Sequence, residues 1–424
     1  MKEIAKKKGA RQEATPQQLM LAAMADIKTT LHEAIVAAGM TALTAVLEEE
    51  RAELCGPRYA RDSSREMIRA GSASGELAFG GRLVSVRRPR VRSAEGHEVP
   101  LKRWERFSEA DPLTPRAVEQ MVLGVSTRNY GRSLEPAPAG LPSRGTSKSA
   151  VSRRFVEATT EVLREMQTRD LAALSICAAM IDGIHVADHL VLVAMGIDEV
   201  GIKHILGLYE GATENATVCT ALLSDLAARG LRTDRAMLFV IDGAKALRKA
   251  IRDVFGERAL VQRCQVHKRR NVEDHLPESL KKTIGKAMTA AYRSGDFSRA
   301  KRILEGLARQ LEKSHPAAAA SLREGLDETL TVTRIGLRAS LARTLSTTNA
   351  IEFINGRIRK TTHNVDKWSG GTMVLRWLAI ALNEAAKTFR KLAGHADMPK
   401  LVAALRLHDQ KLNPASVDAS TKAA

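Results

Sequence analysis

The sequence predicts an α/β protein: a core on a mixed sheet, preceded by a helical region that carries a β-hairpin and interrupted by an all-α insertion. Three observations lead there. Two short apolar runs, Ile176 to Ile181 and Met237 to Ile241, each end in Asp-Gly, at Asp182 and Asp242. That is the pattern of a buried strand delivering a carboxylate to its C-terminal edge, where ligands gather in open α/β sheets. A distant helix, STTNAIEFINGRIRK, buries Ile351, Ile354 and Ile358 and sets Asn349, Glu352, Asn355 and Arg359 on another side. Helical segments punctuated by Gly and Pro take up the middle of the 110-residue interval from Asp242 to Glu352.

Residues 1–110 begin with a basic tail. Thr15 and Pro16 start a helix, and LHEAIVAAGMTALTAVLEEERAEL gives it an Ala-rich face suited to packing or dimerisation. ELAF-GG-RLVSVRRPRV then reads as a hairpin with a Gly-Gly turn, Pro89 marking the second strand as an edge or its end. The five arginines between Arg82 and Arg92 fit a phosphate-facing strand and a charge-guarded solvated edge equally.

Residues 111–170 have a helix-turn-helix pattern. Thr114 and Pro115 start a helix that Gly124 ends, Ser126 caps a second, and a third begins near Ser147. Val151, Phe155, Ala158 and Val162 form its buried stripe, leaving Lys148, Ser149, Ser152 and Arg153 outside. Short polar and cationic groups suit a major groove, although a helical bundle with a basic exterior has the same pattern. The PAPAGLPSRG loop is long for the motif.

The core's first part, 171–267, holds three strands, a helix from about Thr213 to Arg229, and the Asp242 strand. If the Asp182 and Asp242 strands are parallel neighbours, their carboxylates meet and repel, which a divalent cation with oxygen ligands relieves. Glu352 is the candidate third carboxylate. Asp188, Asp198, Asp253, Glu328 and Glu384 compete with it, Asp188 most strongly because His185 and His189 flank it. Lys245 reads as a phosphate contact or as an exposed helix-start lysine.

The insertion spans 268–343. From Lys245 to Lys313 there are 18 Lys and Arg against 8 Asp and Glu, a net +10 of the chain's +18. A polyanionic partner follows, since displaced counterions drive such association. The last core part, 344–400, carries the Glu352 helix, Trp368 as an open residue and Trp377 as a core residue; 401–424 is a tail, loose from about 412.

The longest apolar stretch, around 174–197, is broken by Asp182, His185, Asp188 and His189, which excludes a membrane span there. The apolar LMLAAMA after the basic start is too short for a secretion signal. Four scattered cysteines, Cys55, Cys177, Cys219 and Cys264, suggest reduced thiols in a cytoplasmic protein.

The segments MIDGIHVADH, GIKHILGLYEGATEN, VIDGAKAL, VQRCQVHKRRNV, STTNAIEFINGRIRK, HNVDKW and RW occur in order over about residues 110 to 400. In these the chain resembles the prokaryotic Mutator-type insertion-sequence transposases, a branch of the DDE transposases with a ribonuclease-H-like core. The resemblance implies Asp182, Asp242 and Glu352 as the catalytic triad, holding two Mg²⁺ or Mn²⁺ ions for in-line phosphodiester chemistry. It implies double-stranded DNA as partner, cut at element ends to expose 3′-hydroxyls that are joined to other DNA, by a homodimer or larger assembly at the bacterial nucleoid. His267, Lys268 and Arg270 then face the active site or DNA, with Asn349 and Arg359 on the DNA side of the Glu352 helix. Cys264-x-x-His267 is one ligand pair, and structural zinc wants four, so no zinc is expected. A resolvase-like nuclease and a catalytically silent DNA-binding descendant are the alternatives. The basic insertion and separate end-reading region argue against the first, and the three intact carboxylates against the second.

Overall fold

The computed structural model describes residues 16–59, 65–79, 81–109, 113–134, 143–144, 146–211 and 215–413. The Thr15 cap, most of the PAPAGLPSRG loop and the tail from residue 414 lie outside them. The chain divides into two compact units: residues 1–121 with 125–155, and residues 122–124 with 156–424.

In the first unit, helix α1 (Pro16–Cys55) precedes an antiparallel hairpin of β1 (Met67–Phe79) and β2 (Arg82–Ser93). Two short strands, β3 (Glu98–Val99) and β4 (Ser143–Arg144), pair with opposite ends of β2. Pro89 lies between those two patches, where β2 has no second neighbour and its missing N–H costs no ladder bond. It therefore marks an edge but does not end the strand. Helix α2 (Lys102–Glu109) brings Trp104 to Leu47, Leu77, Val86 and Val91. Of the hairpin arginines, Arg90 and Arg88 face Glu98, and Arg87 donates to Ser72 Oγ at 3.0 Å.

Helix α3 (Leu113–Val122) follows, and α4 (Lys148–Thr168) runs from the first unit into the second. The second helix expected between them is only a 3-10 turn, Tyr130–Ser133. Gly131 weakens a helix there, Tyr130 is buried, and Ser126 Oγ accepts from Asn129 N at 3.3 Å, closing a turn instead. Because β4 belongs to the hairpin sheet, the sequence boundary at 110/111 falls inside one unit.

The second unit is a three-layer α/β/α sandwich. Its sheet has strands β5 (Ile176–Val186), β6 (His189–Asp198), β7 (Lys203–Gly211), β8 (Met237–Ile241) and β9 (Ala259–Arg263), in the order β7-β6-β5-β8-β9. β6 is antiparallel to β5 and β7, whereas β5, β8 and β9 are parallel. Alternate side chains point to opposite faces of a strand. Ala179, Ile181, Phe239 and Ile241 accordingly pack on α5 (Ala216–Ala228) and α6 (Lys245–Phe255). Ala178, Met180, Leu238 and Val240 pack on the opposite layer.

After β9 come α7 (Gln265–Glu273), α8 (Glu278–Tyr292), α9 (Phe297–Leu311), α10 (Pro316–Arg323) and α11 (Thr331–Arg334). Helices α7 to α10 enclose their own core, from Val272 through Met288, Leu304 and Leu322 to Leu330, whereas Val332 of α11 packs with the sheet layer. Helices α12 (Ala339–Leu345), α13 (Asn349–Thr362), α14 (Gly371–Ala386) and α15 (Met398–Leu412) return to the sheet. Trp377 is buried in α14, and Trp368 packs half-buried against the same core. The expected tail is structured to residue 412: Met398, Leu401 and Leu405 are buried, and Asp409 accepts from Ala236 N at 2.8 Å at the start of β8. The apolar spacing i, i+3, i+7 in this stretch is that of a packed helix.

Candidate active site

The pairing of β5 with β8 keeps a constant offset of 60 positions, Ala178 with Leu238 and Met180 with Val240. The same interval separates Asp182 from Asp242, so the two carboxylates leave adjacent parallel strands side by side. Both continue the even-numbered face, toward α13. From α13, Asn355 donates from Nδ2 to Asp182 Oδ2 at 2.8 Å, while Asp182 Oδ1 accepts from Gly183 N at 3.0 Å. Asp242 Oδ1 accepts from Ala244 N at 2.9 Å, turning the chain into α6. Gly243 is required in that turn: its φ is +111°, and a Cβ would stand 2.0 Å from Arg263 Nε.

Burial first and the Asp242 charge second push the Asp182 carboxyl up to about 6, with Glu352 adding to the shift. No lysine or arginine stands within ion-pair distance of Asp182 or Asp242 among the described residues. The competing acids are otherwise engaged. Asp198 meets His204 at 3.0 Å, Asp253 meets Lys249 at 2.6 Å, Glu328 meets Arg248 at 3.0 Å and Glu384 meets Lys387 at 2.5 Å. Asp188 is exposed in the β5–β6 turn, where His189 turns away to Glu210 Oε1 at 2.6 Å.

Glu352, in the first turn of α13, accepts at Oε1 from Thr348 Oγ1 at 2.7 Å, and His267 Nε2 lies 3.9 Å from the same oxygen. A hydroxyl has one proton, and the carboxylate can only accept, so Thr348 donates there and receives His267 Nδ1–H at 3.3 Å. The ligand atoms of Cys264, His267 and Glu352 lie within 4.8 Å of one another; the three carboxylates do not close to that distance. Sequence reasoning paired Cys264 with His267 but did not bring Glu352 to them. Three donors are one short of the four that structural zinc takes. Burial raises the Cys264 thiol, yet its contacts with His267 and Thr348, their backbone amides included, outweigh it and lower the thiol overall. The contact with Cys264, opposed by burial, raises His267.

The carboxylates form a hard oxygen-donor set suited to Mg²⁺ or Mn²⁺. The elevated Asp182 carboxyl supports that fit, because burial is its first cause and a cation would relieve the repulsion from Asp242 and Glu352 that adds to it.

The expected DNA-facing residues divide. Lys148, Ser149, Ser152 and Arg153 are exposed on α4, beside buried Val151 and Phe155, and Arg270, Asn349 and Arg359 are also exposed. Lys245 is exposed at the start of α6, 3.5 Å from Glu324 Oε1. Lys268 is a correction: it is fully buried and donates from Nζ to the carbonyls of Ser321 and Glu324. It shares the inward stripe of α7 with Cys264 and Val272, both buried, which spacing by four residues dictates. Burial lowers its ammonium to about 8. Sequence reasoning also missed the roles of Asn355 and Thr348. The sequence places Asn355 with Glu352 on the polar side of the helix, turned toward the strand ends, but gives it no part in the site.

The family described as "Transposase, Mutator family" matches residues 11–391. The chain belongs to this family. It is 27% identical over 333 residues to a transposase for insertion sequence element IS256 in transposon Tn4001 from Staphylococcus aureus, covering 76% of this chain and 82% of that protein. It is 27% identical to the transposase for insertion sequence element ISRM3 of Rhizobium meliloti, covering 86% of this chain and 88% of that protein. Similarity to the transposase for insertion sequence element IS406 of Burkholderia multivorans is 28% identity over 79% of this chain and 86% of that protein.

Proposed function

We propose that the chain is a DDE transposase that cuts DNA at insertion-sequence ends and joins the exposed 3′-hydroxyls to other DNA. The observation that carries this reading is the in-register pair Asp182 and Asp242 on parallel neighbouring strands, with Asn355 and Glu352 presented by one helix across from them. The strand order supports a ribonuclease-H-like core: in chain order it reads 3-2-1-4-5, with the second strand antiparallel to the rest. Family membership supports transposition as the process.

Asp182, Asp242 and Glu352 would hold Mg²⁺ or Mn²⁺, two ions per site. When bound, such ions activate the attacking oxygen and stabilise the leaving one. Asn355 fixes the rotamer of Asp182, and Thr348 with His267 fixes that of Glu352. Lys245, Arg270, Asn349 and Arg359 attract and position phosphates, and Lys148, Ser149, Ser152 and Arg153 on α4 read element ends as part of a helix-turn-helix-like module. The working form is a homodimer or larger assembly on DNA at the bacterial nucleoid. Among the described residues no helix is long and apolar enough to cross a membrane.

The test incubates purified protein with duplexes carrying the element's terminal repeats, with Mg²⁺, with Mn²⁺ and with chelator. Metal-dependent cleavage at the repeat boundary and joined products are expected. Intact duplex under every condition removes the proposal.

A further inference from the structure

We propose that a groove on the helical insertion binds the phosphate backbone of duplex DNA beside the carboxylate site. This inference rests on the reading of the chain as a DNA transposase. Two clefts of about 650 and 550 Å³ adjoin along α7 and α8, sharing Arg269, Thr289 and Arg293 as lining residues. The first also takes Arg338 and Arg343 from around α12, and the second takes Lys282 and Lys286 from α8. The inner end of the groove reaches Ser346 and Thr347, next to Thr348, whose hydroxyl holds Glu352.

Six cations thus face one channel, and the carboxylate lining it, Glu273, pairs with Arg269 at 3.4 Å. Lys282, Lys286, Arg293, Arg338 and Arg343 have no carboxylate within 4.0 Å among the described residues. Five cations without a carboxylate partner thus line one channel, and such a concentration of charge is what phosphate binding with counterion release requires.

The length also fits. Lys282 to Arg293 covers about 16 Å of α8 at 1.5 Å per residue. That is the span of about five successive phosphates on one strand of B-form DNA. Arginine forks match phosphate oxygens in pairs, and the three unpaired arginines lie toward the carboxylate end, where a strand must be held most firmly. Contacts to phosphates carry no sequence information, so binding through them is indifferent to sequence.

The experiment compares wild type with Arg293→Gln/Arg338→Gln/Arg343→Gln on a short duplex of random sequence, over a series of salt concentrations. Three lost phosphate contacts should lower the slope of log K against log salt by about 2–3. The Arg293→Lys/Arg338→Lys/Arg343→Lys protein should keep the wild-type slope, which separates charge from folding. Wild-type binding with an unchanged slope in the Gln variant overturns the groove, as would an acidic protein being its true occupant, and leaves the transposase reading standing. A wild type that binds neither random duplex nor terminal repeats overturns both.

Discussion

Asn355 Nδ2 lies 2.8 Å from Asp182 Oδ2, joining a buried helical amide to a strand carboxylate that carries a neighbouring negative charge. The bond removes rotamer freedom from Asp182 and leaves its orientation independent of solvent. Groups that orient a metal ligand typically change metal affinity or activity by about 10–100-fold. Asn355→Ala should lower Mg²⁺-dependent DNA joining by that factor, with the deficit shrinking as Mg²⁺ is raised. Wild-type rates at limiting Mg²⁺ would remove Asn355 from this role.

Replacing any one of the three carboxylates should suffice. Asp182→Asn, Asp242→Asn and Glu352→Gln should each abolish cleavage and joining while leaving binding to terminal repeats intact. Double variants should be no worse than single ones, because one missing ligand already disables the site. The decisive comparison measures joining and repeat binding side by side. A Glu352→Gln protein that still joins ends would show that the third ligand lies elsewhere.

The metal-free protein should gain stability from Asp182→Asn, with a defined pH dependence. The folded carboxyl, at about 6 against an ordinary 3.8, holds its proton more tightly than in the unfolded chain. The stability this group contributes is therefore full below about pH 4 and lost as pH rises through about 6. Two units correspond to about 3 kcal/mol at most, which Asn recovers only where Asp182 would be charged. In chelator, the variant should melt several degrees above wild type at pH 8 and at nearly the same temperature near pH 4. Equal melting at pH 8 sinks the argument.

Gly243 carries a stability prediction. Gly243→Ala must accommodate φ +111° and a Cβ 2.0 Å from Arg263 Nε, on a guanidinium otherwise bonded to Glu324 O at 3.1 Å. Strain of this kind costs roughly 1–3 kcal/mol before the clash is counted. Urea unfolding should show a loss at least that large, and Asp242 should lose its placement with it. A midpoint within error of wild type contradicts the turn geometry.

End reading is tested on α4. Alanine at Ser149, Ser152 and Arg153 together should weaken binding to terminal repeats while leaving random-sequence binding nearly unchanged. Unaltered footprints on the repeats would place recognition on another element.

What the sequence revealed follows the range of its interactions. Strands β5 and β8 and helices α8 to α10 were legible because their apolar periods and their Asp-Gly, Gly or Pro boundaries are local. The Asp182 and Asp242 pair was legible because strand ends carry their carboxylates with them. Lys268 was not: burying an ammonium depends on carbonyls of Ser321 and Glu324 more than 50 positions away. The polar side of α13 reads as facing the strand ends, but the bond from Asn355 to Asp182 joins residues 173 positions apart and was not legible. The turn at Tyr130 and the pairing of β4 with β2 also depend on partners remote in sequence.

Helix α15 changes how copies of such a gene should be judged. Its Asp409 carboxylate receives the Ala236 N–H, which opens the strand that ends at Asp242, and Leu401 and Leu405 fill the layer beneath. A frameshift or stop codon just after residue 397 would leave Asp182, Asp242 and Glu352 untouched in the translated text while uncovering that strand. A genome survey that scores intactness by the three acids alone would therefore count dead copies as living ones, and the segment of α15 belongs in the test.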